Sequence, residues 1–150
     1  MTDSEQVRIL IVDDDETIRK SIATVLEEKG YLADTAENGR AAIRKSDKEV
    51  YHLALIDIRL PDMDGVQLLT ALKETTPKMV KIMITGYPSL QNAVEAVNKG
   101  ADGYIVKPIK MGELLTMIKE HLKKQQEAGK YTEQKVVEFI ETRAKELESR

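Results

Sequence analysis

Short apolar runs that alternate with segments of helical spacing constrain the fold more than any other feature of this sequence. The runs cover residues 9–12, 53–56, 80–84 and 104–106, and a weaker one covers residues 31–36. Near-continuous apolar character without polar alternation is typical of strands that are buried on both faces. The sequence therefore predicts five strands with helices between them.

Between the runs, apolar residues recur three or four positions apart, which predicts helices with one buried face. Gly30 and Gly100 follow two of these stripes and are expected to end helices, and Pro77 is expected to end a third. Ser89 stands where a helix N-cap is expected. The five helices are expected to begin near Ile18, Asn38, Val66, Leu90 and Met111.

Strand–helix–strand repetition requires parallel pairing with right-handed crossovers, so the elements predict a twisted α/β sheet with helices on both faces. We expect a doubly wound, flavodoxin-like five-stranded sheet of order 2-1-3-4-5. The five units place this domain at residues 1–126. Residues 127–150 are expected to form an amphipathic C-terminal helix or a linker.

The C-terminal segment differs in character from the rest of the chain. Gly129 is expected to interrupt it, and an apolar stripe then recurs at helical spacing among many charges: Val136, Ile140, Ala144 and Leu147. An extra helix over residues 131–149 is therefore expected, and its stripe needs a partner. The sequence leaves three partners open, namely the domain itself, a second copy of the chain, or a downstream domain.

The composition of the 150-residue chain excludes several classes of protein. There are no cysteines, which rules out disulfides, thiol catalysis and cysteine-based zinc sites, and which is consistent with a reducing compartment. A formal net charge of -3 argues against direct binding of nucleic acid. No apolar run approaches the ~20 residues of a membrane-spanning helix, and the polar amino terminus lacks a leader. We therefore expect a cytoplasmic protein without a membrane partner.

Reactive side chains follow four of the predicted strands. The first strand is followed by Asp13 and Asp14, and the third, fourth and fifth are followed by Asp57, Thr85 and Lys107. In an open parallel sheet, ligands bind beyond the carboxyl ends of the strands, where the strand order switches. A single Asp at a strand end is usually only a turn or cap residue, but a coincidence at four strand ends indicates a shared site.

The chemistry of such a site is constrained by charge. Carboxylates a few ångströms apart repel by roughly 4 kcal/mol per pair at an effective dielectric of about 20. Lys107 offsets one charge, and a divalent ion with oxygen ligands is expected to offset the rest. An incomplete protein cage favours Mg2+, which keeps several waters and takes phosphate oxygens. A carboxylate beside Mg2+, with a lysine and a hydroxyl directed inward, is typical of phosphoryl transfer, and an Asp can be the nucleophile. Asp62 and Asp64 flank a Pro/Gly turn and are expected to be turn and cap residues instead.

Four stretches of the sequence resemble the receiver domain of two-component response regulators, of the chemotaxis-regulator-like kind. They are ILIVDDDETIR at 9–19, LALIDIRLPDMDG at 53–65, IMITGYPS at 82–89 and GADGYIVKPI at 100–109. They follow the order and spacing of that family and span nearly all of the five-unit domain. The segment beyond about residue 126 is not covered by the resemblance.

The resemblance implies a role for each matching residue. Asp57 would accept the phosphoryl group, Lys107 would supply the family's ammonium, and Thr85 would bond the phosphoryl group through its hydroxyl. Asp14 and Asp57 would bind Mg2+ directly, and Asp13 would bind it indirectly.

The resemblance also implies how the site would switch. Tyr104 would turn inward as Thr85 is drawn to the phosphoryl group, and the surface of the fourth helix, fifth strand and fifth helix would rearrange. Arg59 would bind the metal ion through its backbone carbonyl, and the Lys107–Pro108 peptide would be cis. Arg59 and Tyr87 stand where their bulky side chains would shield the phosphoryl group from water.

The family implies a partner as well. A histidine kinase or a phosphotransfer protein would supply the phosphoryl group in a phosphorelay. The chain would then be a switch and not an enzyme, catalysing only its own phosphorylation and dephosphorylation. The sequence leaves open a homodimer, formed through the rearranging surface or through the C-terminal helix.

Three other functions compete with this interpretation. DDDET at 13–17 fits the D-x-D-x-T pattern of haloacid-dehalogenase-type phosphatases, with Asp13 as nucleophile, but that class needs a further acidic pair downstream and usually cap insertions. A flavin- or nucleotide-binding module would need a glycine- or hydroxyl-rich loop after the first strand, where acidic residues repel phosphate. A receiver that acts only in docking would not be expected to keep Asp57, Thr85 and Lys107 together.

Overall fold

The fold comes from a computed structural model that describes residues 6–148, apart from the side chains of residues 131 and 132. Strands and helices alternate along these residues. The strands are β1 (Arg8–Val12), β2 (Leu32–Ala36), β3 (Leu53–Asp57), β4 (Val80–Thr85) and β5 (Gly103–Val106). The helices are α1 (Glu16–Glu28), α2 (Gly39–Lys48), α3 (Gly65–Ala71), α4 (Leu90–Asn98) and α5 (Met111–Glu148).

The five strands form one parallel sheet of order β2-β1-β3-β4-β5, which confirms the predicted doubly wound topology. The order switches between β1 and β3, so the carboxyl ends of these two strands lie side by side. Asp57 pairs with Ile84 in the adjacent strand β4, one residue before Thr85. The topology therefore brings the residues that follow β1, β3, β4 and β5 to one edge of the sheet.

Both faces of the sheet are covered, because alternate residues of each buried strand point to opposite sides. On one face, Leu10 and Ala54 pack in a cluster with residues of α2, α3 and α4. On the other, Ile9 and Leu55 pack with residues of α1 and α5. The two layers explain why the strand sequences lack polar alternation.

Local signals in the sequence define most helix ends. Gly30 and Gly100 follow α1 and α4 with φ of +90° and +101°, a backbone conformation that favours glycine. Four helices begin at a side chain that accepts hydrogen bonds from the first turn, which satisfies free N–H groups there. These N-caps are Asp15, Asn38, Asp64 and Ser89.

Asp62 ties the loop after β3 to the start of α2. Its two carboxylate oxygens accept hydrogen bonds from the N–H groups of Gly39, at 2.8 Å, and Arg40, at 2.9 Å. The bond from Arg40 and then that from Gly39 lower the pKa of Asp62. Asp64 is thus a cap, as its turn context predicts, whereas the tether that Asp62 makes to α2 was not predicted.

Helix α3 ends well before Pro77, contrary to expectation. Its last residue is Ala71, and Leu72 leaves the helix with extended backbone while its side chain stays 3% exposed in the core. Thr76 also disfavours helix, because it is β-branched and precedes a proline. Burial of Leu72 therefore fixes the end of the helix before proline does.

The extra C-terminal helix is present, but it is a continuation of α5 and not a separate element. Gly129 does not interrupt the helix, which runs over 38 residues. One glycine costs only about 1 kcal/mol relative to alanine, so good helix formers on either side can carry a helix through it. The predicted division into residues 1–126 and 127–150 falls inside this helix and stays a prediction. Across residues 6–148, no helix combines the length and the apolar character that a bilayer crossing requires.

Candidate functional site

Three carboxylates meet at the edge of the sheet where the strand order switches. Asp13 and Asp14 follow β1, and Asp57 is the last residue of β3. One oxygen from each lies within 4.8 Å of the other two. Asp13 is 3% and Asp57 6% exposed, whereas Asp14 faces solvent. The cluster is thus buried at Asp13 and Asp57 and open to solvent at Asp14.

Lys107 supplies a cation to the two buried carboxylates. Its Nζ lies 2.9 Å from Asp57 Oδ2 and 3.1 Å from Asp13 Oδ2. The Lys107 N–H donates to the carbonyl of Thr85 at 2.8 Å, which holds the start of the loop after β5 against the end of β4. The Lys107–Pro108 peptide is cis, as the family resemblance implies.

The charges of this cluster act on one another. Burial raises the pKa of Asp13, against the hydrogen bonds from the Asp15 N–H and Lys107. Burial also disfavours the ammonium of Lys107, but its hydrogen bonds and its charge attraction to Asp57 and Asp13 together outweigh burial and raise the pKa of Lys107. The Lys107 ammonium forms ion pairs with two of the carboxylates, Asp13 and Asp57. The charge of the third carboxylate, Asp14, is not balanced by Lys107.

Backbone groups hold the acidic side chains in place. Asp13 Oδ1 accepts from the N–H of Asp15 at 2.9 Å, and Asp57 Oδ1 accepts from the N–H of Arg59 at 3.0 Å. Arg19, on α1, donates from Nη1 to the carbonyl of Asp13 at 2.7 Å. Sequence reasoning assigned no role to Arg19, although it ends the first matching stretch, because a side chain that binds a backbone carbonyl leaves no sequence pattern.

Gly65 allows the loop after β3 to return onto its strand. A Cβ at this position would overlap the carbonyl oxygen of Asp57 and lie 2.9 Å from the Cα of Ile58. The Gly65 N–H donates to the Ile58 carbonyl at 2.6 Å, which closes the loop. Close backbone approach therefore requires glycine here and fixes the position of Asp57.

Thr85 and Tyr104 lie on the same face of the sheet beside this cluster. Tyr104 pairs with Met83, two residues before Thr85, and residues two apart in a strand point to the same side. Thr85 is 1% exposed, and its Oγ1 accepts the N–H of Tyr87 at 3.0 Å. The Tyr104 ring packs against the core below α2, α3 and α4, and its hydroxyl is buried without a hydrogen-bond partner among the described residues.

Arg59 and Tyr87 meet above the loops that carry the cluster. The Arg59 guanidinium carbon lies 3.8 Å from the centroid of the Tyr87 ring, in cation–π geometry. Both residues were predicted to stand near the site, but their stacking was not predicted. The backbone of Arg59 also forms an isolated antiparallel β-bridge with the backbone of Asp64 across the loop.

The fold and this cluster define a class of protein: a doubly wound domain with an acidic, lysine-bridged site at the switch in strand order. The response regulator receiver domain model matches residues 9–119, and the chain belongs to that family. It is a receiver domain of a two-component response regulator, as the sequence predicted. The comparisons give no support to the haloacid-dehalogenase alternative with Asp13 as nucleophile.

Three relatives illustrate the similarity. The chain is 37% identical over 118 residues to the transcriptional regulatory protein ZraR of Klebsiella oxytoca, covering 79% of this chain and 27% of that one. It is 46% identical to a CheY-like receiver domain protein from Methanospirillum hungatei JF-1, with a TM-score of 0.79 and coverage of 83% and 99%. A response regulator from Burkholderia pseudomallei, solved with a phosphorylated aspartic acid and a calcium ion, is 28% identical, with a TM-score of 0.72 and coverage of 82% and 72%. The chain spans between about a quarter and half of the length of the curated relatives it matches.

Proposed function

We propose that Asp57 accepts a phosphoryl group from a histidine kinase or a phosphotransfer protein, and that this changes the surface of α4, β5 and α5. The observation that carries the proposal is the Lys107 ammonium, 2.9 Å from the Asp57 carboxylate, in a cluster with two more carboxylates. Family membership and the phosphorylated aspartate of the Burkholderia relative support it. In a whole response regulator, this changed surface would be the part of the receiver domain that binds the next partner or domain.

The transfer is a displacement at phosphorus. A carboxylate oxygen of Asp57 forms the new P–O bond as the P–N bond to the donor imidazole breaks, and the electron pair of that bond stays on the nitrogen. Asp57 is held for this by the Arg59 N–H on Oδ1, and its other oxygen contacts Lys107. Lys107 is placed to neutralise charge on the transferred group, and the Thr85 hydroxyl, which now only accepts from Tyr87, can donate to it.

The same residues fit a divalent cation. The donors are all carboxylate oxygens, which hard cations prefer, and within residues 6–148 the three acidic groups face one ammonium, that of Lys107. We propose that Asp14 and Asp57 bind Mg2+ directly, that Asp13 binds it indirectly, and that the Arg59 carbonyl completes the protein ligands. When bound, the ion supplies positive charge to the phosphoryl oxygens and relieves repulsion among the carboxylates.

The switch rests on Thr85 and Tyr104. A buried hydroxyl without a partner costs free energy, so the inward position of Tyr104 is balanced against an outward one in which water satisfies the hydroxyl. Movement of Thr85 toward the phosphoryl group changes the space beside Tyr104 and shifts that balance. The face that responds exposes large apolar side chains, which suits a partner surface: Leu90, Val94, Val97 and Val106.

Several finer points remain predictions. We propose that the protein works in the cytoplasm, that it catalyses only its own phosphorylation and dephosphorylation, and that it binds neither nucleic acid directly nor a membrane. Two copies could associate through the surface of α4, β5 and α5 or through the C-terminal part of α5.

Incubation with acetyl phosphate and Mg2+ tests the phosphoacceptor. The wild type should gain the mass of one phosphoryl group, and Asp57→Asn should gain none. Asp64→Asn is the matched control, because it makes the same change in the same loop at a residue that caps α3 and stays outside the cluster. Labelling of Asp57→Asn at the wild-type rate would refute the proposal.

A further inference from the structure

The apolar side chains in the C-terminal half of α5 are exposed throughout the described part of the chain. Leu122 is the last residue of the helix whose described side chain is buried, and every described side chain from residue 126 to 148 is exposed. At 1.5 Å per residue, the helix extends roughly 39 Å beyond Leu122. Most helical stability in proteins comes from packing of an apolar face, so an extension of this kind is expected to bury one.

The extension carries such an apolar face. Val137, Ile140, Ala144 and Leu147 follow one another at spacings of three, four and three, which is the a and d pattern of a coiled coil. The three larger members are 52%, 59% and 62% exposed. We call these four residues the C-terminal seam. A seam of this spacing fits another helix of the same kind.

We propose that the C-terminal seam joins two copies of the chain in a short, parallel, two-stranded coiled coil. A β-branched residue at position a and leucine at position d favour two parallel strands. Val137 and Leu147 follow this preference, whereas Ala144 at position a and Ile140 at position d do not, so the orientation rests on the charges beside the seam. The proposal concerns the unphosphorylated chain and does not depend on phosphorylation of Asp57.

Charges beside the seam select the parallel orientation. In parallel register, Arg143 at position g faces Glu148 at position e of the second copy, which is an attractive pair. In antiparallel register with the same apolar layers, Arg143 would face Arg143 and Glu141 would face Glu141, which is repulsive in both cases. Within one helix Arg143 binds Glu146 at 3.2 Å, and its guanidinium has further donors to offer.

The residues before the seam limit its length. One heptad earlier, positions a and d are occupied by Lys130 and Glu133, so parallel copies would place like charges together there. The two helices are therefore expected to diverge between the seam and the folded domains. Such a short seam should give a reversible, concentration-dependent dimer.

The base of the extension is held in one direction by Gln125. Its Nε2 donates to the carbonyl of His52 at 2.9 Å and to that of Lys78 at 2.8 Å, on two loops that precede β3 and β4. With Leu114, Ile118 and Leu122 buried against the sheet, this fixes the angle at which the helix leaves the domain. A fixed angle reduces the entropy lost when two copies align.

The mass of the full chain in solution tests the dimer. Light scattering over a concentration series should show the wild type rising to twice 16.9 kDa, and Ile140→Glu with Leu147→Glu should stay at 16.9 kDa. Phe139→Glu is the matched control: Phe139 is 68% exposed, on the same turn as Ile140, but at position c outside the seam. It should dimerise like the wild type. A wild type that is monomeric at every concentration, or a loss of dimer with Phe139→Glu alone, would overturn the proposal.

The orientation can be tested with introduced thiols, because the chain has no cysteine of its own. Under mild oxidation Ala144→Cys should cross-link, since parallel strands bring position a against itself, and Thr142→Cys on the outer face should not. Arg143→Glu should weaken the dimer at least severalfold, and adding Glu148→Arg should restore it. Cross-linking at Thr142 but not at Ala144 would exclude this register.

Failure of the dimer can be told apart from failure of the phosphoacceptor. Acetyl phosphate labelling of the wild type reports on Asp57 alone, so a wild type that is labelled but stays monomeric would overturn only the coiled coil. An unlabelled dimer would overturn only the phosphorylation.

Discussion

At the scale of single residues, the acidic cluster carries more negative charge than Lys107 can balance. Asp13 and Asp57 share its ammonium, and Asp14 stands at the solvent side of the same cluster. Millimolar Mg2+ should therefore raise the unfolding temperature of the wild type. A ligand at about ten times its dissociation constant adds about 1.4 kcal/mol to the free energy of unfolding.

The Mg2+ effect should depend on the cluster and not on acidic residues in general. Asp14→Asn should remove most of the shift, because it takes away a proposed ligand without disturbing the ion pairs of Lys107. Asp62→Asn, at a carboxylate that tethers α2, should keep it. Differential scanning calorimetry with and without Mg2+ measures all three proteins, and an equal shift in all of them would argue against this site.

The stacked side chains of Arg59 and Tyr87 lead to a prediction about the lifetime of the phosphoryl group. Their contact, at 3.8 Å, holds two bulky groups over the loops next to Asp57. We expect Arg59→Ala with Tyr87→Ala to speed hydrolysis of phosphorylated Asp57, because water would then reach the acyl phosphate more easily. Loss of the label followed by mass spectrometry measures the rate.

Each single variant shows whether the stack acts as a unit. If the two side chains shield only when stacked, Arg59→Ala and Tyr87→Ala should each give most of the increase seen in the double variant. A double variant that loses its label as slowly as the wild type would remove the shielding role from both residues.

At the scale of elements, the loop between β3 and α3 depends on a glycine that cannot be replaced. Gly65→Ala would push a Cβ into the backbone of Asp57 and Ile58, which cannot move without shifting β3. Overpacking of this kind costs about 1–3 kcal/mol, and we expect the upper end of that range.

Gly39→Ala provides the comparison. Its Cβ would meet the side chain of Met63, with Cγ at 2.6 Å, and a methionine can change rotamer. Its free energy of unfolding from guanidinium titration should fall by less than that of Gly65→Ala. Equal losses in the two variants would mean that the backbone of the β3–α3 loop yields as easily as a side chain.

The predictable part of the structure is the part that local sequence encodes. Apolar runs located the five strands, and side chains such as Ser89 and Gly100 marked helix ends because capping acts within a few residues. The meeting of Asp13, Asp57 and Lys107 followed from topology, since parallel strands bring their carboxyl ends to one edge.

What sequence reasoning missed depends on contacts between distant segments. The Asp62 tether to α2 joins residues more than twenty apart, and the Arg59–Tyr87 stack joins two separate loops. The prediction that Gly129 interrupts the helix was wrong, because it considered the cost of one glycine and not the helix-forming residues on both sides of it. Buried Leu72 similarly ended α3 before Pro77 could act.

At the scale of the whole molecule, the domain should not need the end of α5 for its own stability. Every described side chain beyond residue 125 is exposed, so a chain that stops at residue 129 removes no buried contact of the sheet. We expect it to unfold at the same temperature as dilute wild type and to lose the concentration dependence that a dimer confers. Thermal denaturation followed by circular dichroism at several concentrations measures both.

The truncated chain should also accept the phosphoryl group at the wild-type rate, because the acidic cluster lies at the opposite edge of the sheet from Gln125. A lower unfolding temperature in dilute solution would show instead that the extension packs on its own domain.

The bond pair made by Gln125 has a mechanical consequence. It fastens α5 at the sheet edge far from Asp57, while the other end of the helix begins just beyond Lys107 and Pro108. Because Leu114, Ile118 and Leu122 hold the first part of the helix on the sheet, the extension beyond residue 125 follows any change in the direction of that part. By the rise of an α-helix, a change of about 5° in this direction carries Glu148 through about 3 Å. A displacement too small to reshape the domain would in this way become visible at the far tip.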